Sequence, residues 1–113
     1  MILFFVIFTG CAHDEGKRRE DAAHAVELPT HDASVNRGQP IENAGLARDL
    51  AELVLAESGI DVRRFAASVS FTDGAYHVAF TNQLPDGGTV TFTVVLDSRT
   101  SKTLSIKRTT KPA

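Results

Sequence analysis

Hydrophobic residues in the middle of the chain recur first at helical spacing and then at every second position. Between residues 41 and 58 the apolar side chains fall three or four positions apart, which predicts an amphipathic helix. From residue 65 onward apolar and polar positions alternate, which predicts strands with one buried and one solvated side. The residues expected to form the buried side of the helix are Leu46, Ala47, Leu50, Leu53 and Val54.

The first two strands are expected to form a hairpin closed by Asp73 and Gly74. This dipeptide favours a type I′ turn, whose two central residues both have positive φ. A turn at this point puts the apolar residues of both strands on one side of the sheet, so turn chemistry and alternation favour the same register. The pairs that this register predicts are Phe71 with Tyr76, Val69 with Val78, and Ala67 with Phe80.

A third strand is predicted over residues 89–96, and a short fourth strand should bury Leu104 and Ile106. The expected fold class is α+β, with one N-terminal helix packed on a four-stranded antiparallel meander and preceded by a disordered tether. Pro40 suits the first turn of the helix, and Gly59 suits the position just beyond its end. Basic residues flank the fourth strand as they often flank protected sheet edges, which leaves the first strand as the more available edge.

The residues before the helix divide into an apolar run over 1–10 and a largely polar stretch over 11–38. The apolar run is shorter than the roughly 20 residues that span a bilayer. The polar stretch cannot bury enough apolar surface to offset its ordering entropy, so we expect a flexible tether there. Residues 39–113 are then enough for one small domain.

The residues Phe8-Thr9-Gly10-Cys11 resemble the lipobox of bacterial lipoproteins. The resemblance implies that residues 1–10 are a removed signal peptide and that Cys11, the single cysteine, carries the lipid that anchors the chain to the bacterial cell membrane. Because Ala12 rather than Asp follows the cysteine, the resemblance favours the outer membrane and its periplasmic face. The alternative is a simple secretory signal or an artefactual N-terminus, with no role for Cys11.

Composition argues against several kinds of chemistry. The net charge is −2 with both signs interspersed, so no basic stripe indicates nucleic acid. Three of the four histidines fall at irregular spacing in residues 11–38, which does not match the spacing of metal ligands. No serine lies in a nucleophile-elbow motif, and an acylated Cys11 has no free thiol. We therefore expect no catalytic residues, no metal and no cofactor.

The candidate binding residues lie on the polar side of the predicted sheet and in one of its loops. Thr103 and Ser105 of the fourth strand are expected on the same polar side. The candidate binding surface consists of Ser68, Ser70, His77, Thr81, Thr91 and Thr93, and the candidate loop contains Gln83, Leu84 and Asp86.

The segment Val94-Val95-Leu96-Asp97-Ser98-Arg99-Thr100-Ser101-Lys102-Thr103-Leu104 resembles the closing hairpin of PepSY-type domains, with Ser101 where that family usually has Gly. PepSY-type domains place a helix before this hairpin and occur in envelope proteins and protease propeptides, and some are proposed to bind or inhibit peptidases. The order of one helix followed by strands is also similar to a cystatin-like arrangement. The PepSY resemblance implies a protein partner in the envelope.

The sequence thus predicts a membrane-anchored bacterial envelope lipoprotein whose non-enzymatic domain binds a macromolecule, with a PepSY-like peptidase-binding or inhibitory role. Two alternatives stay open. One is an immunity lipoprotein that neutralises a toxin. The other is a carrier that holds a small molecule in a pocket between helix and sheet.

Overall fold

The computed structural model describes residues 24–113, which form one helix and a five-stranded antiparallel sheet. The sheet has the order β1-β5-β4-β3-β2, and the helix packs against β2, β3 and β4. The α+β class is confirmed, but the expected strand count of four is wrong. In chain order the elements are β1 (His24–Leu28), α1 (Ala44–Glu57), β2 (Ala66–Thr72), β3 (Ala75–Gln83), β4 (Thr89–Asp97) and β5 (Thr103–Lys111).

Local capping signals define the two ends of α1. Asn43 has an extended backbone, and its side-chain oxygen accepts a hydrogen bond from the Leu46 N–H at 2.8 Å, so the helix begins at Ala44. Pro40 therefore precedes the helix, contrary to the expectation that it lies in the first turn. At the other end Gly59 has a φ of +86°, and the N–H of Ile60 donates to a carbonyl of the last turn, as in a Schellman motif.

The hairpin of β2 and β3 has the predicted register. Asp73 and Gly74 have φ values of 54° and 77°, which are the positive angles that a type I′ turn requires. All three predicted cross-strand pairs are present, including Val69 opposite Val78. The result places the apolar side of both strands under the helix, where Val78 has no exposed surface.

A β-bulge between β4 and β5 changes the expected orientation of two residues. Leu96 lies opposite Thr103, whereas the preceding Val95 lies opposite Ser105, so Leu104 is the extra residue. The extra residue reverses which side of the sheet the preceding side chains of β5 face. Thr103 is buried at 4 % exposure, and Leu104 is half exposed at 50 %. The expectations that Leu104 is buried and that Thr103 lies on the polar side are therefore wrong.

Strand β1 comes from the stretch that we expected to be a flexible tether. It pairs antiparallel with β5, and its Leu28 lies opposite Ile106 and packs against the core. Because β1 covers β5, the edges of the sheet that residues 24–113 form are β1 and β2. The remainder of the expected tether that precedes β1, residues 11–23, lies outside the described residues.

The β1–α1 connection, residues 29–43, is tied to the turn between β4 and β5. A side-chain oxygen of Asp32 accepts the backbone N–H of Thr103 at 2.9 Å. The N–H of Gly38 donates to the carbonyl of Thr100 at 2.9 Å. Ala33 and Ile41 of this connection are buried in the same core as α1 and the sheet. The principal buried residues of that core on α1 and the sheet are Ala47, Leu50, Ala51, Val54, Leu55, Val78, Phe80, Phe92, Val94, Leu96 and Ile106.

Candidate functional site

The six residues of the candidate surface lie together on the side of β2, β3 and β4 that faces away from the helix. We call this side the open face, and it comprises Ser68, Ser70, His77, Thr81, Thr91 and Thr93. Cross-strand pairing arranges them in adjacent rows, because directly opposed residues share one side of a sheet. The rows are Ser70 with His77 and Val95, Ser68 with Ala79 and Thr93, and Ala66 with Thr81 and Thr91.

The chemistry of the open face is that of small neutral hydrogen-bonding groups. The hydroxyls of Thr81 and Thr91 are 3.0 Å apart and form a cross-strand hydrogen bond. Strands β2 and β3 contain no Lys, Arg, Asp or Glu, and β4 contains only Asp97 at its end. The neighbouring strands carry charged residues, and Lys107 Nζ of β5 lies 3.9 Å from Glu27 Oε2 of β1. The open face is therefore a neutral surface bordered by an exposed ion pair.

The candidate loop between β3 and β4 is a tight turn that lies apart from the centre of the open face. The N–H of Leu84 donates to the carbonyl of Gly88 at 2.7 Å, and the N–H of Gly88 donates to an Asp86 side-chain oxygen at 2.9 Å. Gln83 is the last residue of β3 and pairs with Thr89. Gln83 lies on the same side of β3 as the open-face residue Thr81, two positions further along, because side chains alternate between the two sides of a sheet. Leu84 and Asp86 lie beyond the end of the strand and do not belong to the open face.

Leu84 and Asp86 instead line a surface hollow of about 560 Å³ beside the ends of β1 and β5. Val26 and Arg108 face each other two residues along from the core pair of Leu28 and Ile106, so the hollow is on the helix side of the sheet. The sequence does not predict this hollow, because the hollow depends on the pairing of β1 with β5, for which the sequence holds no local signal. Its lining residues are His24, Val26, Leu84, Asp86, Arg108, Thr110, Lys111 and Pro112.

The side chains that face each other between α1 and the sheet are buried. Leu50, Val54 and Leu55 of the helix have at most 2 % exposure, as do Val78 and Phe80 of the sheet. A second hollow of about 430 Å³ lies at the C-terminal end of the helix rather than beneath it. Its lining residues are Glu52, Ala56, Gly59, Ile60, Asp61, Val62 and Arg63.

Asp61 and Arg63 form the shortest ion pair of the described residues, with 2.9 Å between a guanidinium nitrogen and a carboxylate oxygen. Hydrogen bonds from the Arg63 side chain, and then from its backbone N–H, lower the pKa of Asp61 from 3.8 to about 2. The pKa of Asp97 is lowered as well, first by the backbone N–H of Arg99. Asp61 lies in a loop and Asp97 at the end of β4, and both carboxylates accept local hydrogen bonds from the residues that follow them, which is a structural role.

One cluster superficially resembles a catalytic triad. Ser58 Oγ lies 3.4 Å from His31 Nδ1, and His31 Nε2 lies 3.8 Å from a Glu57 side-chain oxygen. Both distances exceed the 2.6–3.2 Å expected between a nucleophile, its base and the orienting group. Ser58 also caps the C-terminus of α1, where outward carbonyls would repel an oxyanion, and its hydroxyl donates to the Val54 carbonyl. The cluster joins the β1–α1 connection to the helix end.

Three other features would bear on function: a lipidation site, a metal site and a membrane-spanning helix. Cys11, the predicted lipidation site, lies outside the described residues. Within residues 24–113, no three His, Asp or Glu side chains come together as metal ligands would. No helix in the same range is long and apolar enough to span a membrane.

Comparison of the chain with protein-family models, curated proteins and solved structures found no match. The lipoprotein and PepSY resemblances stay predictions from the sequence.

Proposed function

We propose that this protein is a non-enzymatic binding protein of the bacterial cell envelope, anchored by a lipid on Cys11, whose open face contacts another protein. The observation that carries the proposal is the neutral, hydroxyl-rich sheet surface of Ser68, His77, Thr81 and Thr91. None of the six open-face residues lines either of the two hollows described above, which suits a macromolecule, because small-molecule sites are concave and enclose most of their ligand. The absence of Lys and Arg from β2 and β3 argues against nucleic acid, whose binding depends on phosphate contacts.

The size of the open face fits a modest interface. Three strands spaced about 4.8 Å apart and about 25 Å long present roughly 360 Å². A standard protein–protein interface takes about 800 Å² from each partner. The sheet surface alone therefore favours a transient partner, or one that also contacts the borders of the sheet. The PepSY resemblance of the β4–β5 hairpin makes an envelope peptidase the first partner to test.

The binding proposal is tested by site-specific photocrosslinking of the full-length protein in a bacterial envelope. A photoreactive residue replaces Thr91 on the open face in one variant and Ala56, an exposed position on the helix, in the control. We expect a discrete adduct to a single protein from position 91 and none from position 56. Equal adducts from both positions, or none from position 91, would contradict the proposal.

The anchor is tested separately, so that its failure is distinguishable from failure of the binding surface. We expect the wild-type chain to incorporate a labelled fatty acid and to fractionate with membranes. Cys11→Ser should abolish incorporation and release the protein into the soluble fraction. A Cys11→Ser variant that stays in the membrane fraction would contradict the anchor while leaving the photocrosslinking result to decide the function of the open face.

A further inference from the structure

Strand β2 is a sheet edge without the usual features that prevent edge pairing. No strand among residues 24–113 pairs with its outer side, and six of its seven residues are exposed. Edges are commonly protected by charged residues, prolines, bulges or short length. The sequence AASVSFT has no charge and no proline, and its pairing with β3 is regular over all seven residues. The opposite edge, β1, has only five residues and carries Glu27, which pairs with Lys107.

The two-residue turn determines which β2 residues offer backbone groups at this edge. Residues that flank such a turn form a hydrogen-bonded pair, so Thr72 directs its N–H and C=O toward Ala75. Because the direction of these groups alternates along a strand, Ala67, Val69 and Phe71 direct theirs outward. These three residues give a symmetric set of donors and acceptors centred on Val69.

We propose that β2 pairs antiparallel with β2 of a second copy of this chain, with the two-fold axis passing at Val69. In that register Val69 faces Val69 of the second copy, and Ala67 faces Phe71 of the second copy. The three residues of each strand whose backbone N–H and C=O groups point away from β3 then lie in hydrogen-bonded pairs, which gives six backbone hydrogen bonds. A closed two-fold dimer forms, because the same edge is used by both copies.

The side chains of β2 are complementary to themselves in this register. Phe71 is 57 % exposed and contacts Tyr76 of its own chain at 4.9 Å between ring centroids. Pairing places its other side over the small Ala67 of the second copy, which removes aromatic surface from water. On the opposite side Ser68 lies next to Ser70 of the second copy, where hydroxyls can bond across the strands.

Charge at the ends of β2 favours the same register. Arg64 precedes the strand and Asp73 follows it, and both are exposed. Antiparallel pairing about Val69 brings the Arg64 end of each copy to the Asp73 turn of the other, so opposite charges meet at both ends. A parallel arrangement would instead bring like charges together.

The dimer joins two five-stranded sheets into one of ten strands. Because the two-fold axis of an antiparallel pair is perpendicular to the sheet, both open faces lie on one side and both helices on the other. Two strands bury less area than a standard interface, so self-association in dilute solution should be weak. Confinement to a surface raises the effective concentration and would favour the pair. The dimer does not depend on what the open face binds.

Disulfide crosslinking of the full-length chain, in a Cys11→Ser background with no other thiol, tests the register. Facing residues in a hydrogen-bonded pair have Cα atoms about 5.5 Å apart, within disulfide range. Because the Cys11→Ser chain lacks the anchor and self-association in dilute solution should be weak, the protein is used at high concentration, and we expect Val69→Cys to form a covalent dimer there under mild oxidation. Thr72→Cys is the matched control and should stay monomeric, because its two copies would lie about 20 Å apart along the strands. Ala67→Cys and Phe71→Cys should crosslink to each other only when the two variants are mixed.

A Val69→Cys variant that stays monomeric would overturn the proposal, as would equal crosslinking at positions 69 and 72, which indicates random collision. Sedimentation of the full-length protein without introduced thiols, at the same high concentration, gives an independent readout. Ser70→Lys places two positive charges close together across the axis, and we expect it to weaken dimerisation about tenfold or more. Ala56→Lys adds the same charge on the exposed side of α1 and should leave the dimer unchanged. Equal behaviour of the two lysine variants would also overturn the proposal.

Discussion

Ser101 offers a sharp test of how the β4–β5 turn is stabilised. It has a φ of 64°, a left-handed conformation that favours glycine, although it is buried at 2 % exposure. Its hydroxyl donates to the carbonyl of Gln39 at 2.6 Å and accepts from Asn36 Nδ2 at 2.7 Å. We predict that these two hydrogen bonds to the β1–α1 connection explain why serine is accommodated at a position that suits glycine.

The magnitude follows from two substitutions. Ser101→Ala removes both hydrogen bonds and keeps the unfavourable φ, so at about 1 kcal/mol per bond it should lower the free energy of unfolding by about 2 kcal/mol. Ser101→Gly removes the same bonds but relieves about 1–2 kcal/mol of left-handed strain. The greater entropy of glycine in the unfolded chain offsets about 0.4–1 kcal/mol of that relief. The glycine variant should therefore be more stable than the alanine variant and less stable than wild type.

The assay is urea unfolding of the full-length chain followed by circular dichroism, because the protein contains no tryptophan. With a slope of about 2 kcal/mol per molar urea, Ser101→Ala should lower the midpoint by about 1 M. Ser105→Ala on β5 is the matched control and should change the stability by less than about 0.5 kcal/mol. An alanine variant as stable as wild type would refute the role of the hydroxyl, and an alanine variant more stable than the glycine variant would refute the positive φ.

Three further substitutions test other parts of the fold. Asp32→Ala leaves the half-buried N–H of Thr103 without its acceptor and should cost about 1–3 kcal/mol in the urea assay, whereas a loose N-terminal segment would show no change. Asp61 has a pKa lowered to about 2, so its contribution to stability is present above its ordinary pKa of 3.8 and is lost as the pH falls through about 2. The thermal midpoint of Asp61→Asn should therefore fall less than that of wild type between pH 4 and 2. Plots of thermal midpoint against pH that run parallel for the two proteins would contradict the ion pair. Gly88→Ala would place its Cβ 2.5 Å from the carbonyl oxygen of Lys111, so we expect a loss of about 1–3 kcal/mol, and unchanged stability would contradict this close approach.

The elements that the sequence predicted well are those whose signals are local. The hairpin of β2 and β3 follows from the Asp73 and Gly74 turn and from the alternation on either side of it, which agree on one register. The end of α1 is likewise determined by a local signal, the glycine at position 59. The start of the helix was predicted three residues early, because Asn43 was not recognised as its N-cap.

The elements that the sequence did not predict depend on contacts between distant segments. Strand β1 is only five residues long, and its structure follows from pairing with β5 about 80 residues later in the chain. The bulge at Leu104 places Thr103 on the buried side of the sheet and Leu104 on the exposed side. A prediction from alternating apolar and polar residues assumes a regular strand, so it does not include one inserted residue. Pairing between residues far apart in the chain is only weakly reflected in the local pattern of apolar and polar residues.

The candidate site shows the same division. Alternation placed Ser68, His77 and Thr91 on one side of the sheet, and the structure has them there, because a period of two fixes the side of each residue within a regular strand. The hollow beside Arg108 depends on β1 and was not foreseen. Which surface the protein uses stays a prediction that the crosslinking experiments decide.

The position of β1 connects the proposed anchor with the proposed dimer. The chain enters the sheet at His24 on one edge, and β2 is the opposite edge, four strand spacings or about 19 Å away. A lipid on Cys11 would therefore connect to the sheet at the edge that the dimer does not use. In the paired sheet the two β1 edges become the outer edges, so both anchors would attach at the periphery and β2 would lie at the centre. This arrangement allows two anchored copies to associate laterally while their open faces point the same way.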